Sequence, residues 1–298
     1  MRVDAVLLGE SHLARLSATR FGPVRQLLET ASTNSSALEE ANRGAAEGLI
    51  VVADHQSAGR GRLGRGWESP PGVSLLFSVL LRPPPEELPP ACRHLAVAAV
   101  SLAVAEGAKQ VAGAHLGLKW PNDLVAPGAA GGAERKVAGV LAEVLPGGRS
   151  SAAAPAGAGA PADGGAPTRA RDGDVALVVG VGLNVRWAPV RGAATSLEAL
   201  VGERVDRAEL LVQCLLALDR LYGRWDTVSS LYREACATLG RLVRVELGAG
   251  QGALSGTALD VDGEGCLLVR TGPGEVSRVA AGDVTHATML PPPSLSTR

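Results

Sequence analysis

Four glycines and three arginines alternate in Gly59-Arg60-Gly61-Arg62-Leu63-Gly64-Arg65-Gly66, and Trp67 follows directly. Guanidinium groups gathered this closely suit anions such as carboxylates and phosphates, and the glycines let the backbone approach a ligand. The run formally contains G-x-G-x-x-G, but a dinucleotide fingerprint has to open a helix, and here Ser69-Pro70-Pro71-Gly72 comes at once. The chain has no G-x-x-x-x-G-K-[ST], so phosphates would be gripped by side-chain cations instead of a P-loop. Alone, the segment also reads as a solvated turn or as an arginine-glycine tether for nucleic acid. A strand entering through Gln56 and another beginning after Trp67 favour a lid over a sheet-based pocket.

Other groups with chemical potential recur along the chain. Ser32-Thr33-Asn34-Ser35-Ser36 offers hydroxyls and an amide at a helix start. Lys119-Trp120-Pro121-Asn122-Asp123 ends a strand at a proline and leaves two polar side chains to face a ligand, although an ordinary Asn-Asp turn has the same composition. Lys136 enters the apolar run Val137 to Val144. Gly180-Val181-Gly182-Leu183-Asn184 sets two glycines inside a strand, which marks close approach of a ligand or of neighbouring protein.

The elements that must position these groups follow from periodicity. Val24 onward, Gly48 to Ala53, Val73 to Leu81, Leu116 to Trp120, Val137 to Val144 and Val175 to Val185 predict strands. Leu95 to Val111 predicts a buried core helix, its most apolar part, Leu95 to Ala105, being far short of the roughly 20 residues that span a bilayer. Asp206 and Glu209 stand at capping-box spacing before one apolar stripe that runs from Leu210 to Trp225. The Ala, Gly, Pro and Ser run between Val144 and Val175 cannot bury enough apolar area to order itself, so a disordered hairpin tip is expected there. From Arg241 to about Ala287, short alternating runs broken by glycines predict a small separate β-barrel or sheet. Residues 1 to 20 carry no clear pattern.

With 29 basic against 30 acidic residues, the chain has no electrostatic footprint for wholesale binding of nucleic acid or anionic membrane. Aromatic residues at 3% leave little for base stacking. Cys92, Cys214, Cys236 and Cys266 are too scattered for a zinc site and read as reduced cytosolic thiols. No secretory signal pattern opens the chain.

Taken in order, Ser32-Thr33-Asn34, Gln56, the arginine-glycine loop with Trp67, Lys119 to Asp123, Lys136-Val137-Ala138-Gly139 and Gly182 to Asn184 resemble the biotin protein ligases. The likeness runs from about Val24 to Leu200, and the C-terminal β-rich stretch resembles the small SH3-like domain of the same family. The resemblance implies an α+β (mixed α/β) fold. Its parts would be an N-terminal extension over 1–20, a class II synthetase-like biotin/lipoate ligase catalytic domain over 21–238 with the insert at 146–174, an SH3-like β-barrel over 239–288, and a tail over 289–298. The implied activity is ATP-dependent formation of biotinyl-5'-AMP, then transfer of biotin to a lysine of a biotin carboxyl carrier domain, with AMP and pyrophosphate released.

Carried over by position, the resemblance gives Ser32, Thr33, Asn34, Gln56, Arg60, Gly61, Arg62, Lys136, Gly139 and Gly182 to biotin. It gives Arg62, Arg65, Trp67, Asn122, Asp123, Lys136 and Asn184 to ATP, with Asp123 also touching Mg2+. Lys136, Arg60, Arg62 and Arg65 would be catalytic. Related lipoate and octanoate ligases carry a different glycine-rich motif, and the Lys-Trp-Pro-Asn-Asp segment speaks for biotin. About twenty residues precede the catalytic region, too few for the helix-turn-helix domain of repressor members, so direct DNA binding is not expected. Neither is membrane association, and the expected compartment is the cytoplasm.

Overall fold

Apolar runs bounded by glycine and proline assemble into two sheets, and the computed structural model describes residues 8–128, 133–145, 175–190, 193–247, 252–280 and 282–286. In chain order the elements are α1 (Glu10–Leu16), β1 (Val24–Thr30), α2 (Thr33–Asn42), β2 (Ile50–Gln56), β3 (Ser74–Leu81), α3 (His94–Ala112), β4 (Gly117–Lys119), β5 (Asp123–Ala126), β6 (Arg135–Leu145) and β7 (Ala176–Asn184). They continue with α4 (Leu197–Val201), α5 (Arg207–Leu221), α6 (Trp225–Ala235), β8 (Leu242–Glu246), β9 (Ala253–Val261), β10 (Leu267–Gly272), β11 (Glu275–Val279) and β12 (Asp283–His286). The large sheet has the order β1-β2-β3-β7-β6-β5-β4, in which β1 and β2 are parallel and the other pairs antiparallel. The C-terminal sheet has the order β11-β10-β9-β8-β12, antiparallel throughout. The insert at 146–174 and the tail at 289–298 lie outside the described residues.

Strand alternation divides the large sheet into two faces. Leu177, Val179, Val181 and Leu183 of β7 join Phe77 and Val79 of β3 in the main core, under α3 and α5. The opposite face packs α2, through Ala37 and Ala41, onto Val51, Leu80 and Val178. On that face the same alternation presents Gly180 and Gly182 of β7, and it is there that the polar pocket forms.

Several expectations are corrected. Residues 10–16, which show no pattern in sequence, form α1, held to α5 by the Arg15–Glu209 ion pair at 2.6 Å. The single stripe from Leu210 to Trp225 is two helices, because Gly223 takes a φ of 83° that an L side chain resists and so ends α5. Asp206 does cap α5, accepting from the amides of Ala208 and Glu209 at 2.8 and 3.1 Å. Pro90–Ala112 is, at 23 residues, long and apolar enough to cross a membrane by length and composition, against the shorter run expected. It serves as the core helix, packed on α5 and α6, with more than half of its most apolar stretch buried.

Candidate active site

The short β4–β5 hairpin and the ends of β2, β6 and β7 converge on one cavity of about 130 Å3. Ser32, Thr33, Asn34, Gln56, Arg60, Gly61, Arg62, Arg65, Trp67, Asn122, Asp123, Lys136, Gly139 and Gly182, all singled out in the sequence, line it. Asn184 does not. Two residues along from Gly182, it is buried, and its Nδ2 donates to the Thr195 carbonyl at 3.1 Å. Its Oδ1 has no hydrogen-bond partner among the described residues.

At one end of the cavity a polar network fixes the start of α2. The amide and hydroxyl of Thr33 both donate to Gln56 Oε1, at 2.7 and 3.0 Å. Ser78 Oγ stands 2.8 Å from Thr33 Oγ1 and 2.7 Å from Asn34 Oδ1, one proton serving two acceptors. Asn34 Nδ2 donates to Glu143 Oε2 at 2.7 Å and to the Leu141 carbonyl at 3.2 Å. Arg60 reaches the same Glu143 oxygen at 3.0 Å and Ser35 Oγ at 2.9 Å. These groups are nearly all spoken for, which is how buried polar atoms stay in the fold and keep a set geometry.

Glu143 and Ser78 were missed in the sequence, yet alternation could have found them. Glu143 is four residues along β6 from Gly139 and therefore on its face, and Ser78 is the register partner of Gly180. The glycines are needed for protein packing: a Cβ on Gly180 would lie 2.1 Å from Asn34 Oδ1, and one on Gly182 would lie 2.4 Å from Trp67 Cε2. Trp67 thus covers the strand floor, and a Cβ on Gly139 would meet it at 3.3 Å.

The arginine-glycine segment is a miniature hairpin, bridged at Arg60 and Gly66, with a tight turn in which Leu63 and Gly64 take φ of 56° and 73°. Its arginines fan out to different partners. Arg60 goes to Glu143, Arg62 Nη1 to Asn122 Oδ1 at 3.3 Å and to the Gly282 carbonyl at 3.4 Å, and Arg65 to the carboxylate of Asp283. Burial lowers the Arg62 pKa, with Asp123 opposing that shift. Asp283 and Gly282 come from the C-terminal part of the chain, and no spacing in the sequence points to them.

Lys119 to Asp123 forms the β4–β5 turn, through a cis Trp120–Pro121 bond, with Lys119 paired to Asp123. The strand β5 that begins at Asp123 was not expected. Asn122 and Asp123 are also less free than expected: Asn122 Nδ2 donates to the Val140 carbonyl at 2.9 Å, and Asp123 Oδ1 holds Lys136 Nζ at 2.7 Å. Lys136 stands 5.6 Å from the centre of the Trp67 ring. Trp120 faces away from the cavity, its Nε1 donating to the Gly265 carbonyl at 2.9 Å and its amide to Thr238 Oγ1 at 3.0 Å. Four cations over a polar cavity can bring two anions together, which is the chemistry expected of the site.

Comparison with known proteins bears directly on that chemistry. Residues 29–154 match the biotin/lipoate A/B protein ligase family, and residues 238–286 match the biotin protein ligase C-terminal domain. The biotin–[acetyl-CoA-carboxylase] ligase of Mycobacterium tuberculosis is 35% identical over 268 residues, covering 87% of this chain and 86% of that protein. The chain belongs to the biotin protein ligase family. The bifunctional ligase/repressor BirA of Bacillus subtilis is 31% identical over 265 residues, which cover 85% of this chain and 70% of that protein. In fold the chain is similar to a biotin protein ligase of Aquifex aeolicus solved with biotin and ATP, with a TM-score of 0.64 and 24% identity over 90% of this chain and all of that one. Both the catalytic fold and the small strand-rich C-terminal sheet of this ligase family are therefore present.

Proposed function

We propose that the chain is an ATP-dependent ligase that joins biotin and ATP to give biotinyl-5'-AMP, then passes biotin to a lysine of a biotin carboxyl carrier domain of a carboxylase. The observation that carries this is the convergence of Arg60, Arg62, Arg65 and Lys136 on one cavity with the polar Ser32–Asn34 end beside them. In this reading Ser32, Thr33, Asn34 and Gln56 bind the biotin head, and Gly61, Gly139 and Gly182 give it room. Arg62, Arg65, Trp67, Asn122 and Lys136 face the nucleotide.

A carboxylate that attacks the α-phosphorus of ATP forms a C–O–P bond as the bond to pyrophosphate breaks. Two anions must first be brought together, so fixed cations stabilise both the encounter and the charge that develops. Lys136 and the loop arginines supply them, and removing one such contact costs about 3–4 kcal/mol in the barrier. The adenylate is a mixed anhydride open to hydrolysis, and the hairpin over the cavity keeps water from it. In the second step the acceptor amine forms a C–N bond to the carbonyl and AMP departs, with no protein nucleophile required.

Asp123, a carboxylate on the cavity wall, would be a donor to Mg2+, whereas Asn184, which does not line the cavity, offers none to a cation bound there. No group of three or more His, Cys, Asp or Glu suited to a metal occurs among the described residues, which matches a cation held mainly by nucleotide phosphates and water. When bound, Mg2+ would draw charge toward the departing pyrophosphate. The four free cysteines suit a reducing compartment such as the cytoplasm.

The test is intact-mass analysis of a carrier domain after incubation with this protein, biotin, ATP and Mg2+, beside a carrier whose acceptor lysine is arginine. A biotin adduct on the lysine form alone, dependent on ATP, is expected. Absence of both adduct and biotinyl-adenylate would overturn the assignment.

A further inference from the structure

We infer that Asp283, contributed by the C-terminal sheet, is a positioning residue for adenylate formation: it holds Arg65 and so sets the arginine-glycine hairpin over the cavity before nucleotide arrives. This rests on the proposed use of ATP. Asp283 opens β12 and lines the cavity, and its carboxylate pairs with Arg65 Nη2. The neighbouring Gly282 carbonyl accepts from Arg62 Nη1 at 3.4 Å, so two of the three loop arginines end on adjacent residues of another sheet. That anchor is itself fixed. A Cβ on Gly282 would lie 2.5 Å from Val245 Cγ1, and Asp283 is in register with Glu246 of β8.

An acid facing a cavity built for phosphates is unfavourable unless it serves another end. Arginine resolves the conflict, because its planar fork carries five N–H donors and the pairing with Asp283 occupies only one edge. The remaining donors can meet a phosphate while Asp283 keeps the guanidinium in place. The pair is partly exposed, with Arg65 at 66% and Asp283 at 31%, so its contribution is moderate and falls as salt rises. Its effect enters through the fraction of molecules whose loop is already folded over, which multiplies the apparent affinity for nucleotide.

The experiment compares wild type, Asp283→Asn and Asp283→Glu as full chains. Hydrogen–deuterium exchange across residues 59–67 is followed without ligands, and ATP-dependent pyrophosphate release with biotin gives KM and kcat. For Asp283→Asn the expected result is faster exchange confined to the loop and a KM for ATP raised about fivefold, with kcat changed much less; Asp283→Glu restores both. Unchanged loop exchange would overturn the inference. So would a lowered KM, which would mean that Asp283 competes with phosphate for Arg65, and so would acceleration spread over β8 and β9, which would mean a merely structural role. If even wild type releases no pyrophosphate, the ligase reading fails, while the exchange comparison still decides whether Asp283 holds the loop.

Discussion

Each cation of the site has a partner of its own: Lys136 on Asp123, Arg60 on Glu143, Arg65 on Asp283, and Arg62 on Asn122 and Gly282. Lys136 and Arg60 therefore meet substrate anions by exchange of partners, whereas Arg65 keeps Asp283 and offers its remaining donors, and the three carboxylates hold down repulsion among the four charges in the empty site. Lys136 is the cation nearest the strand floor that no loop movement removes. Lys136→Ala is expected to lower biotin-dependent pyrophosphate release by about a hundredfold or more, the size seen when one transition-state donor is lost. Release within a few fold of wild type would remove Lys136 from the chemistry. Glu143 holds the other end of the site: Glu143→Ala leaves Asn34 Nδ2 with only the Leu141 carbonyl and frees Arg60 from a carboxylate. Biotin affinity measured by calorimetry is then expected to weaken about tenfold, equivalent to one or two lost polar contacts, and an unchanged Kd would show that the network is dispensable.

Among the elements, β7 shows how closely the fold fits the site. Gly180 and Gly182 alternate with Val179 and Val181, so one face of the strand is core and the other admits Asn34 and Trp67 at distances no side chain allows. Gly180→Ala would drive a methyl into the Asn34 carbonyl, which is tied on its far side to Glu143 and Leu141. A drop in unfolding free energy of about 1–3 kcal/mol is expected in urea titrations, together with loss of biotin binding; a fully stable variant with native affinity would show that Asn34 can yield. These glycines, the strands and the apolar helices were legible because period-2 and period-3.6 patterns are local. What escaped is equally specific. Strand β5 follows a proline turn within four residues and is too short to alternate, α6 hides behind Gly223 in a stripe that looks continuous, and Asp283 reaches Arg65 across more than two hundred residues. Asn184 fits the motif by spacing, but its side chain turns to Thr195 because buried amides seek the nearest carbonyl.

At the scale of the whole molecule, the C-terminal sheet is fastened to the catalytic region at the same turn that carries Asn122 and Asp123. Trp120 donates to Gly265, and the His94 ring at the start of α3 lies against that glycine so closely that a Cβ there would fall 2.4 Å from it. Burial lowers the His94 pKa, and the Ala91 carbonyl and Asp262 only partly offset this, with Arg233 acting alongside burial. The folded protein therefore takes up the His94 proton at lower pH than the unfolded chain, whose histidine titrates near about 6.5. Its contribution to stability is complete above that value and declines as pH falls through it toward the lower folded pKa, since the unfolded state binds the extra proton there. Replacing His94 with Phe removes the titration while keeping a flat ring over Gly265. Between pH 7.5 and pH 5.5, urea titrations followed by tryptophan fluorescence are expected to show wild type losing more stability than His94→Phe. Parallel losses in the two proteins would mean that protonation of this ring does not loosen the junction.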